Sequence, residues 1–314
     1  MHSCSKVLVT GGAGVIGSHT VDRLLDEGSE VVVLDNLYSG KLENLKPHIG
    51  EGNCRFVQGD VRDFGLVKDL VRDVDCVVHS AALISVPESI KNPVLTNDVN
   101  VNGTLNLLKA CVDFDVKRFV YASSCAVYGN AESLPIKEAC PTRPESPYGV
   151  SKLVAENYAR KYHEDFGLET VCLRYFNVYG PRQVYSDYSG VIMQFMSRLA
   201  KSLPLVIFGD GEQTRDFVHV QDVVEANMLA LKNDGVAGET FNIGTGVATT
   251  INQLANILLE VADKKHLKLN HSKPRRGDIN HSVADISKAK AQLGYNPKVS
   301  LKEGLEELTK AAVC

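Results

Sequence analysis

Three absences narrow the field. No stretch of the 314-residue chain approaches the ~18 consecutive apolar residues of a membrane helix. The opening Met1-His-Ser-Cys-Ser-Lys6 passes into a short apolar strand and lacks the apolar run of a secretory signal. No membrane partner and a cytoplasmic address are therefore expected. A basic excess is missing too: 34 Lys and Arg stand against 38 Asp and Glu, a net charge of −4 without long single-sign runs, so nucleic acid is not an expected partner. Metal-ligand spacing is the third absence. The eight cysteines (Cys4, Cys54, Cys76, Cys111, Cys125, Cys140, Cys172 and Cys314) form no Cys-x-x-Cys pair and have no histidine at ligand spacing. They are expected to be reduced, small buried hydrophobes, with neither disulfide nor metal. Internal repeats and low-complexity segments are also absent.

What is present is an ordinary globular composition, 44% hydrophobic and 23% charged, in a chain long enough for a large buried core. Short apolar runs alternate with helical patterns. Val7–Thr10, Val31–Leu34, Arg55–Val57, Cys76–His79, Phe119–Tyr121 and Val171–Arg174 read as strands, nearly continuous in hydrophobes, as a parallel sheet covered on both faces requires. Helical periodicity marks Val15–Glu27, Phe64–Val71, Pro93–Phe114 and Tyr148–Phe166. This order predicts an α/β fold with a doubly wound parallel sheet. After Asn177 the rhythm changes: Gly-punctuated, shorter elements predict a smaller lobe interleaved with the first. Thr240–Ile243 reads as a strand returning to the sheet, and helices are expected over Ile251–Ala262 and Leu301–Ala312. The boundaries read as 1–176 for the dinucleotide domain, with returning segments near 214–245, and 177–314 for the smaller lobe.

The first strand runs into Thr10-Gly-Gly-Ala-Gly-Val-Ile-Gly17 and then a helix. Gly11, Gly14 and Gly17 permit a tight turn, close approach of a diphosphate and close helix–strand packing, and the N–H groups of Val15, Ile16 and Gly17 open the helix toward an anion. The second strand ends at Asp35, where a carboxylate can bind a ribose diol and repel a 2′-phosphate, so NAD is favoured over NADP. Asp60 and Val61, at another strand end, are placed to border the adenine. Ala81 and Ala82 are small enough to let a cofactor approach the backbone, whereas His79 reads as a structural histidine.

Tyr148 and Lys152 form a Tyr-x-x-x-Lys pair on one face of a helix. A tyrosine base at neutral pH needs a nearby cation, which Lys152 and a nicotinamide ring would supply. A hydroxyl at the end of the Phe119 strand can relay a proton, with Ser124 preferred over Ser123.

With these pieces in place the chain resembles the extended short-chain dehydrogenase/reductases, and within them the UDP-hexose 4-epimerases. In one-letter code the resemblance rests on TGGAGVIG (10–17), DN (35–36), HSAA (79–82), NVNGT (100–104), SSCAVYG (123–129), YGVSK (148–152), RYFNVYGPRQ (174–183), TRDFVHVQD (214–222), FNIGTG (241–246) and RRGDINHSVAD (275–285). It implies a Rossmann-type domain with a nucleotide-sugar-binding lobe and adds Asn36, Asn100 and Tyr175 to the cofactor site. It places Ile84, Ser85, Ser123 and Ser124 at the sugar, Asn177, Arg215 and Arg275 at the diphosphate, and Asp278 at the uridine ribose. It also implies a homodimer through the helices Pro93–Phe114 and Tyr148–Phe166.

Related dehydratases and decarboxylases carry acids directly after the catalytic hydroxyl; Cys125 and Ala126 stand here, which leaves oxidation and reduction at C4. Glucose-restricted relatives have a Tyr at the position of Ser282, where a serine leaves room for an N-acetyl group. The resemblance thus implies epimerisation of UDP-N-acetylglucosamine and UDP-N-acetylgalactosamine, with the non-acetylated pair also open. Ile84 departs from the Lys common in glucose-type members. The competing readings are a UDP-glucuronate 4-epimerase and a non-catalytic NAD-binding regulator.

Overall fold

Strands rich in valine and leucine need both faces covered, and the chain supplies helices to both. The computed structural model describes residues 4–50, 52–183, 190–274 and 279–311. Strands β1 (Lys6–Thr10), β2 (Glu30–Asp35), β3 (Cys54–Gln58), β4 (Cys76–His79), β5 (Arg118–Ser124) and β6 (Glu169–Tyr175) form a parallel sheet in the order β3-β2-β1-β4-β5-β6. Thr240–Ile243, from far downstream, closes the edge beside β6 in parallel register, so the expected returning strand is there. The order reverses direction between β1 and β4, the crevice where doubly wound sheets bind ligands.

Side-chain alternation divides the core in two. Val7, Val9, Val31 and Val33 face one cluster; Leu8, Val32, Leu34 and Val77 face the other. Helix α1 (Val15–Asp26) covers the first, and α2 (Phe64–Val71) the second. Each such side chain, fully buried, contributes about 1.5–3 kcal/mol.

Helices α3 (Val86–Lys91), α4 (Pro93–Asn97), α5 (Gly103–Asp113) and α6 (Pro147–Phe166) follow. The single helix expected over Pro93–Phe114 is interrupted: Asp98–Asn102 is a π-helical turn between α4 and α5. Such turns frequently mark functional sites, and here it turns the Asn100 amide inward.

The smaller lobe contains β7 (Asn177–Tyr179), α7 (Val191–Ala200), β8 (Leu205–Phe208), β9 (Thr214–Arg215) and β10 (Phe217–His219). Next come α8 (Val220–Lys232), which packs back on α1, and β11, the returning strand Thr240–Ile243. β12 (Thr249–Thr250), α9 (Ile251–Val261), β13 (Leu269–Ser272), β14 (His281–Ser282) and α10 (Leu301–Ala311) complete the lobe. Phe195, Leu205, Ile207, Leu254, Leu258 and Leu305 give it a separate apolar core. Among the described residues no helix is long and apolar enough to cross a membrane, and no cluster of His, Cys, Asp and Glu could hold a metal ion.

One expectation is corrected. Cys4 and Cys76 form a disulfide, with Cα atoms 5.7 Å apart, a separation that a disulfide spans. The pair carried no spacing signal because its members are separated by 72 positions in the sequence; the pairing of parallel β1 with β4 brings them together. Cys54, Cys111, Cys125, Cys140 and Cys172 are free thiols, and Cys314 lies outside the described residues.

Candidate active site

The dinucleotide end is built from backbone. Gly11 has φ +67°, and a Cβ there would stand 2.7 Å from the Ala81 nitrogen. A Cβ on Gly17 would collide with the Gly11 carbonyl, so α1 packs against the loop only because position 17 is glycine. At Gly14, by contrast, the nearest atom would be Gly11 O at 3.2 Å, leaving its outer side free for an incoming group. Gly14 is the N-cap of α1, and the first-turn N–H groups of Val15, Ile16 and Gly17 have no acceptor within the helix. This cradle fits a dinucleotide diphosphate, an anion matched to the positive end of the helix.

Asp35 ends β2 and is buried. Its Oδ2 accepts from Ala13 N at 3.0 Å and its Oδ1 from Leu37 N at 2.7 Å. Burial raises its pKa, and these two backbone donors work against the rise. A carboxylate oxygen has a second lone pair, so each can still accept from a ribose hydroxyl. Beside it, Asn36 donates to Asp60 at 3.0 Å, and Arg62 grips Asp60 through two guanidinium contacts of 2.9 and 2.8 Å. The Arg62 hydrogen bond is the main cause holding Asp60 down at about 2. Val61 is buried against Gly103 of α5.

The chemical end is built from side chains. Ser124 closes β5, and Tyr148 and Lys152 lie on α6. Ser146 caps the helix by accepting from Gly149 N at 3.1 Å. A Cβ on Gly149 would lie 2.6 Å from Ala126 O; without one, the start of α6 sits against the end of β5. Tyr148 and Ser124 are thereby brought close enough for the serine to act on the phenol. Burial pushes the Tyr148 phenol up to about 12, against the opposing pull of Ser124. Lys152 is buried, donates to Ala122 O at 2.7 Å and lies 5.0 Å from the Tyr121 ring centroid. Desolvation brings its pKa down to about 7.

Cys125 follows Ser124, and burial raises its thiol to about 11. The Ser282 hydroxyl and Arg215 both stand close enough to act on that thiol, each pulling its pKa down. Ser282 on β14 is directly opposite Arg215 on β9, which places both beside the Ser124–Tyr148 pair. Asn177 opens β7 and donates to Asp216 O at 3.3 Å.

Several expected ligand residues have polar groups engaged inside the protein. Ser123 donates to Glu156 Oε2 at 2.6 Å, since successive residues of β5 point to opposite faces. Asn100 uses its whole amide: Oδ1 accepts from Leu83 N at 2.8 Å, and Nδ2 donates to Leu83 O and Ser151 Oγ. It ties the β4 exit to α6. The Tyr175 hydroxyl donates to Asn227 at 2.6 Å, fastening β6 to α8. Ser85 caps α3 by accepting from Glu88 N, and Ile84 beside it is 66% exposed. Ala81 and Ala82 are half-buried at the β4 exit. His79 is fully buried between Thr10 and Thr104 and pushed down to about 3 by desolvation, a neutral structural histidine. Arg275 and Asp278 lie outside the described residues.

Two groups escaped the sequence reading. Asp216, fully buried, accepts from Thr245 N, Thr245 Oγ1, Gly246 N and Ala284 N. Glu156 pairs with Arg174 in the interior at 2.5 and 3.0 Å. Glu156 stands one helical turn past Lys152, the only local hint of its position.

A family model described as GDP-mannose 4,6 dehydratase matches residues 8–308. The UDP-glucose 4-epimerase of Halalkalibacterium halodurans is 38% identical, covering 96% of this chain and 93% of its own. A UDP-N-acetylglucosamine 4-epimerase from Methanobrevibacter ruminantium, solved with UDP-N-acetylmuramic acid, superposes with a TM-score of 0.94 at 39% identity, covering 99% of both chains. The Thermus thermophilus UDP-glucose 4-epimerase, solved with NAD, gives 0.88 at 39% identity, covering 98% of this chain and 99% of its own.

Proposed function

The chain belongs to the extended short-chain dehydrogenase/reductase family, and from that premise we propose that it inverts C4 of a UDP-hexose through a 4-keto intermediate. The cofactor is NAD, which, when bound, takes hydride from the sugar and returns it. The observation that carries the proposal is the pairing of Ser124 at the end of β5 with Tyr148 at the start of α6, one turn from buried Lys152, with a thiol and a methyl group as the side chains after Ser124.

Tyr148 takes the C4 hydroxyl proton, and Ser124 bridges phenol and substrate oxygen. Burial is the largest influence raising the phenol to about 12, and a positive charge beside it would bring it down toward the working range. Lys152, buried beneath, steadies the phenolate and holds the cofactor's ribose. Arg215 and Asn177, with Arg275 and Asp278, hold the nucleotide diphosphate and uridine, so binding strength resides where no bond changes. Cys125 and Ala126 cannot transfer a proton as a carboxylate would, which disfavours dehydration.

Ser282 against Cys125 leaves the sugar's C2 side lined by two small groups. On this basis the preferred substrates are UDP-N-acetylglucosamine and UDP-N-acetylgalactosamine. An apolar row on α6, Val150, Val154, Tyr158, Tyr162 and Phe166, recurs every fourth residue, with Val150, Tyr158 and Phe166 exposed. With exposed Ile90 and Val94 it forms the face of a homodimer, which light scattering would test.

The deciding assay incubates purified protein, without added NAD, with UDP-N-acetylglucosamine, UDP-glucose and UDP-glucuronate separately, and follows the C4 epimer by NMR. Conversion of the acetylated sugar supports the full reading. Conversion of UDP-glucose alone refutes the role of Ser282, and conversion of UDP-glucuronate alone replaces the substrate class. No conversion of any of the three, even with NAD supplied, refutes the epimerase.

A further inference from the structure

Behind the reacting hydroxyls runs a line of buried polar groups that touches neither cofactor cradle nor sugar cleft. At one end Ser123, the chain neighbour of Ser124, donates to Glu156 Oε2 at 2.6 Å. Arg174 of β6 grips both oxygens of Glu156 and donates through Nη1 to the Tyr128 hydroxyl at 2.7 Å and to Glu138 O at 3.1 Å. Tyr128 in turn donates to Asn242 Oδ1 of β11 at 2.6 Å. Asn242 Nδ2 donates to Ile136 O at 2.8 Å, and its backbone N–H is held by Glu138 Oε1 at 2.8 Å.

Ile136 reaches the other wall of the site. Its N–H donates to Val283 O and its carbonyl accepts from Asp285 N, both at 2.8 Å. Val283 directly follows Ser282. The line therefore joins the strand end carrying Ser124 to the strand end carrying Ser282, through α6, β6 and β11. Ser123, Glu156, Arg174, Tyr128 and Asn242 are all nearly or wholly buried. Every donor in it has an acceptor, and its ion pair is shared with hydrogen bonds on both sides, the condition under which a buried charge pair is tolerated and a unique geometry is specified.

We infer that Glu156, Arg174, Tyr128 and Asn242 are positioning residues that set the spacing between the proton-transferring hydroxyls and the Ser282 wall, and so govern which C2 substituent the sugar can carry during turnover. The inference rests on the epimerase reading above. Its physical basis is that small displacements of a positioned group cost far more in rate than in binding. A line that fixes two opposite walls must therefore act on kcat and on substrate ratio together. Separate fastening at Asp216, which accepts from Ala284 N at 3.1 Å, holds the lobe in place when the line is cut, so cutting it alters spacing rather than unfolding the site.

The test is Tyr128→Phe, which removes one oxygen and leaves the ring. NAD-loaded wild type and variant are compared on UDP-N-acetylglucosamine and UDP-glucose for kcat, KM and bound NAD per chain. The variant is expected to retain its NAD, to lose roughly fivefold to tenfold in kcat with KM little changed, and to shift the kcat/KM ratio of the two sugars by about threefold or more. A variant whose kcat and sugar ratio match wild type, with only thermal stability lowered, overturns the inference and leaves the line as packing. Ser123→Ala cuts the opposite end without a cavity of consequence and is read in the same way if Tyr128→Phe does not fold. A wild type inactive on both sugars overturns the substrate reading on which this inference rests, an outcome visible before any variant is compared.

Discussion

The two ends of the site are made of different materials. The glycine-rich end is main chain: Gly11 and Gly17 admit a tight loop, α1 presents its first N–H groups, and Asp35 is held by Ala13 N and Leu37 N. The other end is side chains set beside other side chains, Ser124 beside Tyr148 and Ser282 beside Cys125, with Glu156 and Arg174 paired behind. A backbone cradle tolerates most changes around it except added bulk. A side-chain site depends on individual polar atoms, and one methylene or hydroxyl can alter it.

That contrast is broken most severely by Tyr148→Phe. Loss of the general base is expected to lower kcat by about 10²–10⁴-fold while bound NAD stays near wild type, because the cradle is untouched. Equal loss of NAD would show the two ends to be one unit. Gly17→Ala should do the reverse. Its Cβ meets Gly11 O and Gly12 Cα, an overpacking that costs about 1–3 kcal/mol of stability. NAD retention should fall with it, as followed by thermal melts and cofactor content, and activity should recover in part when excess NAD is added.

Ser282→Tyr sharpens the sugar end alone. Turnover of the acetylated sugar should fall roughly 10–200-fold relative to the non-acetylated one, measured as the ratio of kcat/KM values; an unchanged ratio would remove Ser282 from the pocket wall. The smallest effect concerns pH. Lys152 has a folded pKa of about 7, below its ordinary value near ~10.4, so between these values the unfolded chain binds more protons. Cofactor-free protein should accordingly gain stability as pH rises from about 7 toward ~10. Lys152→Met should flatten that slope in denaturant melts taken across the window.

Local patterns carried much of this protein. The strand–helix rhythm, the glycine spacing before α1, Asp35 at a strand end and the Tyr148–Lys152 spacing all lie within a few residues of one another, where periodicity and turn chemistry act. The same sequence logic narrowed the relay to Ser123 or Ser124. It preferred Ser124 but had no hold on what Ser123 would face, because alternation on a strand defines two faces without saying what covers each.

The sequence by itself determined the class of sheet, the kind of cofactor and the residues able to move a proton, because these depend on spacing along the chain. Only the tertiary structure decided that Ser123 serves Glu156, that Asn100 and Tyr175 spend their polar groups on neighbouring elements, that Cys4 meets Cys76, and that β11 brings Asn242 to Tyr128. Each of those contacts joins segments distant in the chain. A buried polar group takes whichever partner packing brings within reach, since leaving it unpaired costs about 1–3 kcal/mol, and that partner has no fixed place in the sequence.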